Sequence, residues 1–363
     1  MDNSPVYNFS AGPAALPKEV LHTAQKELLD FDGSGTSIME VSHRGKVFDK
    51  VHNNALENLR VLLNIPQDYA ILFMQGGAIT QNSLIPLNLL GNNNNACYGI
   101  TCSWSSKSAV EASRYGNITI SCDEKPYLSV PAFKNWNIPQ NSAYLHICTN
   151  ETIDGIEFIN LDIIKSKCAN IPIIADMSSH ILSREINVLE YGVIYAGAQK
   201  NIGPSGLTIA IVRKDLLNQA MPVCPTALSW NIIYKNNSMY NTPPTFAIYM
   251  AGLVFEWLLN NGGVKEIENK NMLKAQTLYT YIDNSSLYIN NIDKNYRSRM
   301  NVPFKLKNDK LNDNFLEQAE KNKLVGLKGH KSVGGMRASI YNALGIDAVE
   351  KLIDFMQKFE NSN

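Results

Sequence analysis

Between about residue 70 and residue 215, short and almost wholly apolar runs alternate with helical patterns. AILFMQ (70–75), NACYGI (95–100), NITIS (117–121), AYLHICT (143–149), IPIIAD (171–176), VIYAGA (193–198) and LTIAIV (207–212) read as strands. A strand with one wet face alternates apolar and polar residues. These runs are continuous in Ile, Val, Leu and Ala, so they suit strands buried on both faces of a mostly parallel sheet. The segments between them fit crossover helices. ITQNSLIPLNLL (79–90) is one, and SKSAVEASRYG (106–116) is another, with Gly116 expected as its C-cap. The expected class is therefore α/β. In such a sheet, ligands bind beyond the carboxyl ends of the strands, so the residues just after each run are the candidates.

The chain has 363 residues, which suits two domains. Near residue 260 the texture changes. A long helical stretch (Phe246–Leu259) ends at NNGG, and a second helix follows in GVKEIENKNMLKAQTLYTYID. MNVPFKL, NDNFLEQAEKN, MRASIYNA and DAVEKLIDFMQKFE then read as strand, helix, strand and helix, a smaller α+β domain. There is no internal repeat, and GNNNN (91–95) reads as a solvated turn.

Composition excludes several function classes. Lys+Arg and Asp+Glu each number 33, so the net charge is zero and no basic footprint for nucleic acid or an anionic membrane is expected. The six cysteines form no CxxC pair, and several sit in apolar runs, as reduced buried cysteines of an intracellular protein do. MDNSPVYNFSAGP lacks a basic start followed by an apolar stretch, so no signal peptide is expected. IYMAGLVFEWLL (248–259) contains Glu256 and is too short to span a bilayer. A soluble, cytoplasmic protein is the expectation.

Four strand ends carry unusual polar groups. Asp176 ends IPIIAD, Lys200 follows VIYAGA inside GAQKNIGPSG, Thr152 follows AYLHICT, and MQGGA offers backbone N–H groups at a glycine-rich strand-to-helix turn. Alone, such an Asp is most often a turn or cap residue and such a Lys a solvated one. Together they bring a cation, an anion and an anion cradle to one sheet edge. Pyridoxal phosphate needs this set: a lysine amine for its aldehyde, a carboxylate for its ring nitrogen, and donors for its phosphate. It also needs an aromatic face, which Trp104 in TCSWSSKSAVEA can offer.

The motifs NFSAGPAALP, SHRGK, FMQGGAITQ, SWSSKSAVEA, TNETIDG, ADMSSHILSR, YAGAQKNIGPSG, NTPPTFAIY and GHKSVGGMRASIYNA occur in this order, from Asn8 to about Ala343. In this the chain resembles the phosphoserine aminotransferases, class-V members of the fold-type-I pyridoxal-phosphate enzymes. The resemblance implies a large cofactor-binding domain over 16–260 with a mostly parallel seven-stranded sheet. It implies a small α+β domain over 261–363 joined by the N-terminal segment 1–15. It also implies roles. Lys200 would hold the cofactor and move the Cα proton, and Asp176 would pair with the ring nitrogen. Trp104 would stack on the ring, and Thr152 would bond its 3-hydroxyl side. Gln199 and the Ala78–Ile79 turn would hold the phosphate, helped by Asn241 and Thr242 from the other subunit of a homodimer. Arg337 would take the substrate α-carboxylate. His43 and Arg44 from the other subunit, with His330, would take the substrate phosphate or the glutamate side chain. Some members carry Arg where this chain has Ile79, which can offer only a backbone N–H. The implied reaction is a ping-pong amino transfer between glutamate and 3-phosphohydroxypyruvate, giving O-phospho-L-serine and 2-oxoglutarate.

Three other readings are weighed. Lyase or desulfurase chemistry on the same cofactor would want a cysteine in a mobile loop near the site, and none of the six has that setting. A nicotinamide dehydrogenase would want GxGxxG after the first strand, which is absent. A catalytically silent homologue would not need Lys200, Asp176 and Trp104 together.

Overall fold

The computed structural model describes residues 5–91, 93–168 and 170–363. Met1–Ser4 of the N-terminal segment and Asn92 of the Asn-rich turn lie outside the described residues. The seven apolar runs form one sheet of β1 (Tyr69–Gln75), β2 (Asn95–Ile100), β3 (Asn117–Asp123), β4 (Leu145–Cys148), β5 (Ile173–Asp176), β6 (Val193–Gly197) and β7 (Leu207–Arg213), in the order β1-β7-β6-β5-β4-β2-β3. Pairings among β3, β2, β4, β5 and β6 are parallel, while β7 runs antiparallel to both β6 and β1. Six strands therefore end on one edge, and β7 begins there.

Both faces of this sheet are covered, as the unbroken apolar runs require. Tyr69, Ile71 and Phe73 of β1 join Ile147, Ala175 and Ile194 in a core closed by α2 (Lys46–Leu62) and α5 (Thr245–Asn260), which contribute Leu59 and Phe255. The alternate residues Ala70, Leu72 and Met74 face the other way with Ile174 and Tyr195. They meet α3 (Ala78–Leu89) and α4 (Ser103–Ala112). Helix α1 (Lys18–Glu27) leans on α5. Helix α4 begins three residues earlier than its sequence pattern suggests and ends at Ala112. Its C-cap is Ser113, not Gly116, because Ser113 N–H already closes the last turn onto Ala109 and Glu111 carbonyls. Gly116 instead lies where a Cβ would come within 2.8 Å of Asn94 O and a Leu90 methyl.

A third core surrounds an antiparallel sheet of β8 (Tyr288–Ile289), β9 (Asn301–Leu306) and β10 (Met336–Ser339). Helices α6 (Gly263–Asn284), α7 (Asn312–Lys321) and α8 (Ile346–Asn361) complete it. Phe9 from the N-terminal segment is fully buried in this core, and Tyr7–Asn8 pairs in parallel with Leu324–Val325. Lys274 of α6, 2% exposed, donates to the carbonyls of Ile340, Tyr341 and Leu344 at 2.8–2.9 Å, so a buried ammonium holds the turn ahead of α8. Among the described residues no helix is long and apolar enough to cross a membrane. All six cysteines are free, and five of them are buried.

Candidate active site

A cavity opens over the strand ends, on the α3 and α4 side. Asp176, Lys200, Thr152, Trp104, Gln199 and the Ala78–Ile79 turn all line it. Each arrives by a different local device. Asp176 is the last residue of β5, facing the same side as Ile174. Its Oδ1 accepts from Ser178 N–H at 2.9 Å and Ser178 Oγ at 2.6 Å. Ser178 Oγ in turn accepts from Gly197 N–H at 3.0 Å. Burial pushes the Asp176 carboxyl above the usual range, opposed by the Ser178 bonds, the Lys200 charge and the Tyr195 hydroxyl.

Lys200 sits in the reversal between β6 and β7. That loop is too short for a parallel return, so β7 must come back antiparallel. Lys200 Nζ donates to Thr152 Oγ1 at 3.3 Å and to Ala11 O at 3.2 Å, which ties the N-terminal segment to the site. The glycines let this loop pass close to its neighbours. A Cβ on Gly197 would stand 2.7 Å from Gln199 Oε1 and 3.3 Å from Ala78 N. Gly76, at φ +103°, turns the chain from β1 into α3, whose first residues Ala78, Ile79 and Thr80 line the cavity. Ile79 is 66% exposed, and its apolar side chain has no polar group to offer the cavity.

Trp104 lies in the first turn of α4, and Lys107 Nζ stands 4.3 Å from the centroid of its ring. Arg337 of β10 reaches from the small sheet and donates to Thr152 O at 3.3 Å, while its buried Nε has no partner among the described residues. His330 holds Ser332 Oγ at 2.7 Å. Burial, then the charges of Arg337, Lys107 and Lys331, keep its imidazole below the usual range, against the pull of Asp154. Lys107 and Arg337 thus form a cationic rim on two residues of the cavity wall, Trp104 and Thr152.

Arg337 and His330 do not line the cavity itself, and four further sequence candidates lie elsewhere. Asn241 and Thr242 are exposed; Thr242 O accepts from Gln75 Nε2 at 2.6 Å and Asn241 lines a separate recess with Phe73 and Tyr240. His43 and Arg44 precede α2, with Arg44 exposed and His43 Nε2 buried without a partner among the described residues. None of the four lines the cavity of its own chain.

The residues present fit pyridoxal phosphate: an amine, a carboxylate held through Oδ1 by Ser178, an indole on the wall, and a helix N-terminus beneath Gly197. The family model described as aminotransferase class-V matches residues 6–352. The chain belongs to the class-V aminotransferases. It is 51% identical to the phosphoserine aminotransferase of Paraburkholderia phymatum over 98% of each chain. The solved phosphoserine aminotransferase of Bacillus circulans subsp. alkalophilus is 44% identical, with a TM-score of 0.95 over 99% of both chains. A PLP-bound phosphoserine aminotransferase from Trichomonas vaginalis is 41% identical, with a TM-score of 0.93 over 97% of this chain and all of that one.

This class-V aminotransferase also uses residues that sequence reasoning passes over. Glu151, fully buried beside Thr152, accepts from Trp104 N–H and Ser105 N–H at 3.0 Å, from Ser105 Oγ, and from Thr101 Oγ1. It caps α4 from a distant segment and so places Trp104. TNETIDG was already singled out for Thr152, yet nothing local marks its Glu as a helix cap. Lys107 carried a readable signal, one turn after Trp104 on the same helix face.

Proposed function

We propose that the cavity carries out amino transfer between glutamate and 3-phosphohydroxypyruvate, giving O-phospho-L-serine and 2-oxoglutarate; the chain is a phosphoserine aminotransferase serving L-serine formation. The observation that carries this is Lys200 and Asp176 on one cavity, in a chain 51% identical to a curated enzyme of that name. Pyridoxal phosphate, when bound, supplies an aldehyde for the substrate amine and a ring that accepts the electron pair released at Cα. Lys200 Nζ takes the proton from substrate Cα and returns it on the other side of the transfer. Asp176 holds a proton at the ring nitrogen. Thr152 Oγ1, which now receives Lys200 Nζ, is free to turn to the 3-hydroxyl side once the lysine is engaged. Trp104 covers one face and keeps water from it. The first N–H groups of α3 and the Gln199 side chain take the cofactor phosphate. Arg337 meets the substrate α-carboxylate with a planar fork, and His330 offers a ring N–H to the second anionic group.

Four further assignments belong to this reading. The working form is a homodimer in which His43 and Arg44 of one subunit reach the other's substrate and Asn241 and Thr242 reach its cofactor phosphate. The division falls at 16–260 and 261–363, with residues 1–15 joining the second part, as the burial of Phe9 supports. The partners are small molecules, not nucleic acid or membrane. The location is the cytoplasm, where six free cysteines are at home.

The test is optical. The purified protein should take up the cofactor and turn yellow, lose that colour with glutamate, and regain it with 2-oxoglutarate. Lys200→Ala should still collect the cofactor but lower turnover about ten-thousand-fold. Normal turnover in that variant would remove Lys200 from the mechanism.

A further inference from the structure

Below the Asp176 carboxyl, on the same face of the sheet, lie two buried side chains that the reaction as described does not use. Tyr195 of β6 pairs with Asp176 across the ladder, and His146 of β4 stands opposite Ile174, one pleat further from the edge. Both are 0% exposed. His146 Nε2 is 3.0 Å from Tyr195 Oη, so the Tyr195 side chain crosses β5 on the face that carries Asp176, and its hydroxyl favours the ionised Asp176 carboxyl. Tyr98 stacks on the imidazole at 4.7 Å between centroids with 21° between planes, which fixes the ring. The other groups facing Tyr195 are Ser108 of α4 and the Cys148 thiol of β4; those facing Asp176 are Ser178 and Lys200.

Hydrogen-bond capacity sets the direction of this chain. His146 Nδ1 is buried with no partner among the described residues. If Tyr195 donated to His146, the imidazole proton would sit on Nδ1 as an orphaned donor, and a Tyr195 lone pair would face a carboxylate. With the proton on Nε2, His146 donates to Tyr195, the Tyr195 hydroxyl proton is left for Asp176, and Nδ1 is left only as a bare acceptor. Burial holds the imidazole neutral, with its pKa lowered to about 3, so the chain carries no added charge.

We propose that Tyr195 and His146 are positioning residues that act through Asp176, in the order His146 Nε2–H to Tyr195 Oη–H to Asp176, and keep its carboxyl ionised toward the cavity. Lys200 and Ser178 favour the ionised form from the loop side, and the Tyr195 hydroxyl favours it from beneath, where no water enters. The inference rests on the aminotransferase reading for its consequence, because an ionised Asp176 is what keeps a proton on the ring nitrogen.

The experiment uses the full chain with carbon-13 in its Asp carboxyls, titrated with and without cofactor, with Asp176→Asn to assign the signal. Tyr195→Phe keeps the ring and should raise the Asp176 midpoint by about one pH unit in the cofactor-free chain. In the loaded enzyme it should shift the nitrogen-15 signal of the cofactor ring toward the unprotonated form. His146→Leu should move both in the same direction by less, and His146→Gln, which keeps an N–H, should restore them. An unchanged midpoint in Tyr195→Phe or in His146→Leu overturns the proposal. The unaltered protein gives a check that needs no variant: nitrogen-15 shifts of His146 should show the proton on Nε2, and a proton on Nδ1 overturns the stated direction. A protein that takes up no cofactor would defeat the aminotransferase reading, while the cofactor-free titration would still decide this one.

Discussion

At Glu151 a single carboxyl satisfies two backbone N–H groups and two hydroxyls at the start of α4, and so decides where the Trp104 ring stands. Burial raises this carboxyl from 4.5 to about 7, with the Ser105 and Trp104 bonds opposing. A folded-state value above the unfolded one means the folded chain holds an extra proton between those two values. That contribution favours folding most below about pH 4.5 and declines as pH rises to about 7. Glu151→Gln removes the titration, so the urea midpoint of the native protein should fall relative to the variant across that window; parallel curves would contradict the assignment. Glu151→Ala strands two amide donors and should cost about 2–4 kcal/mol and loosen Trp104, read by its fluorescence. Asp176 and Lys200 were legible because each is a charge closing an apolar run. Glu151 was not, since the groups it satisfies lie 46–50 residues away in sequence.

At the scale of elements, the strands were the most readable feature, because burial on both faces leaves unbroken apolar runs. Helix ends were less so. SWSSK reads as loop until Ser105 is seen bonding back to the Thr101 and Cys102 amides at 3.0 and 3.1 Å. The reversed direction of β7 follows from the short loop before it, a constraint of length that residue pattern alone does not announce. The last helix has a comparable hidden anchor. Glu360 of α8 accepts from Ser285 Oγ, Ser286 N–H, Ser286 Oγ and Leu287 N–H on one oxygen and from Tyr281 Oη on the other. Partial burial raises its pKa, but these bonds win and hold it at about 2. A depressed carboxyl adds stability that is present above its unfolded value and lost as pH falls toward 2. Glu360→Gln should therefore be less stable than the native chain at pH 7, with the gap closing in acid. A gap that is constant with pH would show that the contacts, not the charge, matter.

The whole molecule places two cores around one cavity. Glu157, 1% exposed, is held by Arg184 Nε at 3.0 Å and Arg299 Nη2 at 2.6 Å, and Arg299 also grips Glu268 of α6 at 3.1 Å, so one buried carboxylate ties segments of the large part to α6 and the start of β9. Arg337 of the small sheet reaches Thr152 on the cavity wall, while Lys200 and Asp176 come from the large one. Such an arrangement suits a substrate with an anionic group at each end. The α-carboxylate would meet Arg337, and a second anion would meet the cationic rim. This second contact is what distinguishes a phosphorylated amino acid from its parent. The measurement that tests it is the loss of yellow colour in the loaded protein with O-phospho-L-serine, against L-serine at equal concentration. The account predicts that phosphoserine reacts at least about 100-fold faster, the worth of one or two charge-assisted contacts. Equal rates for the two would contradict it.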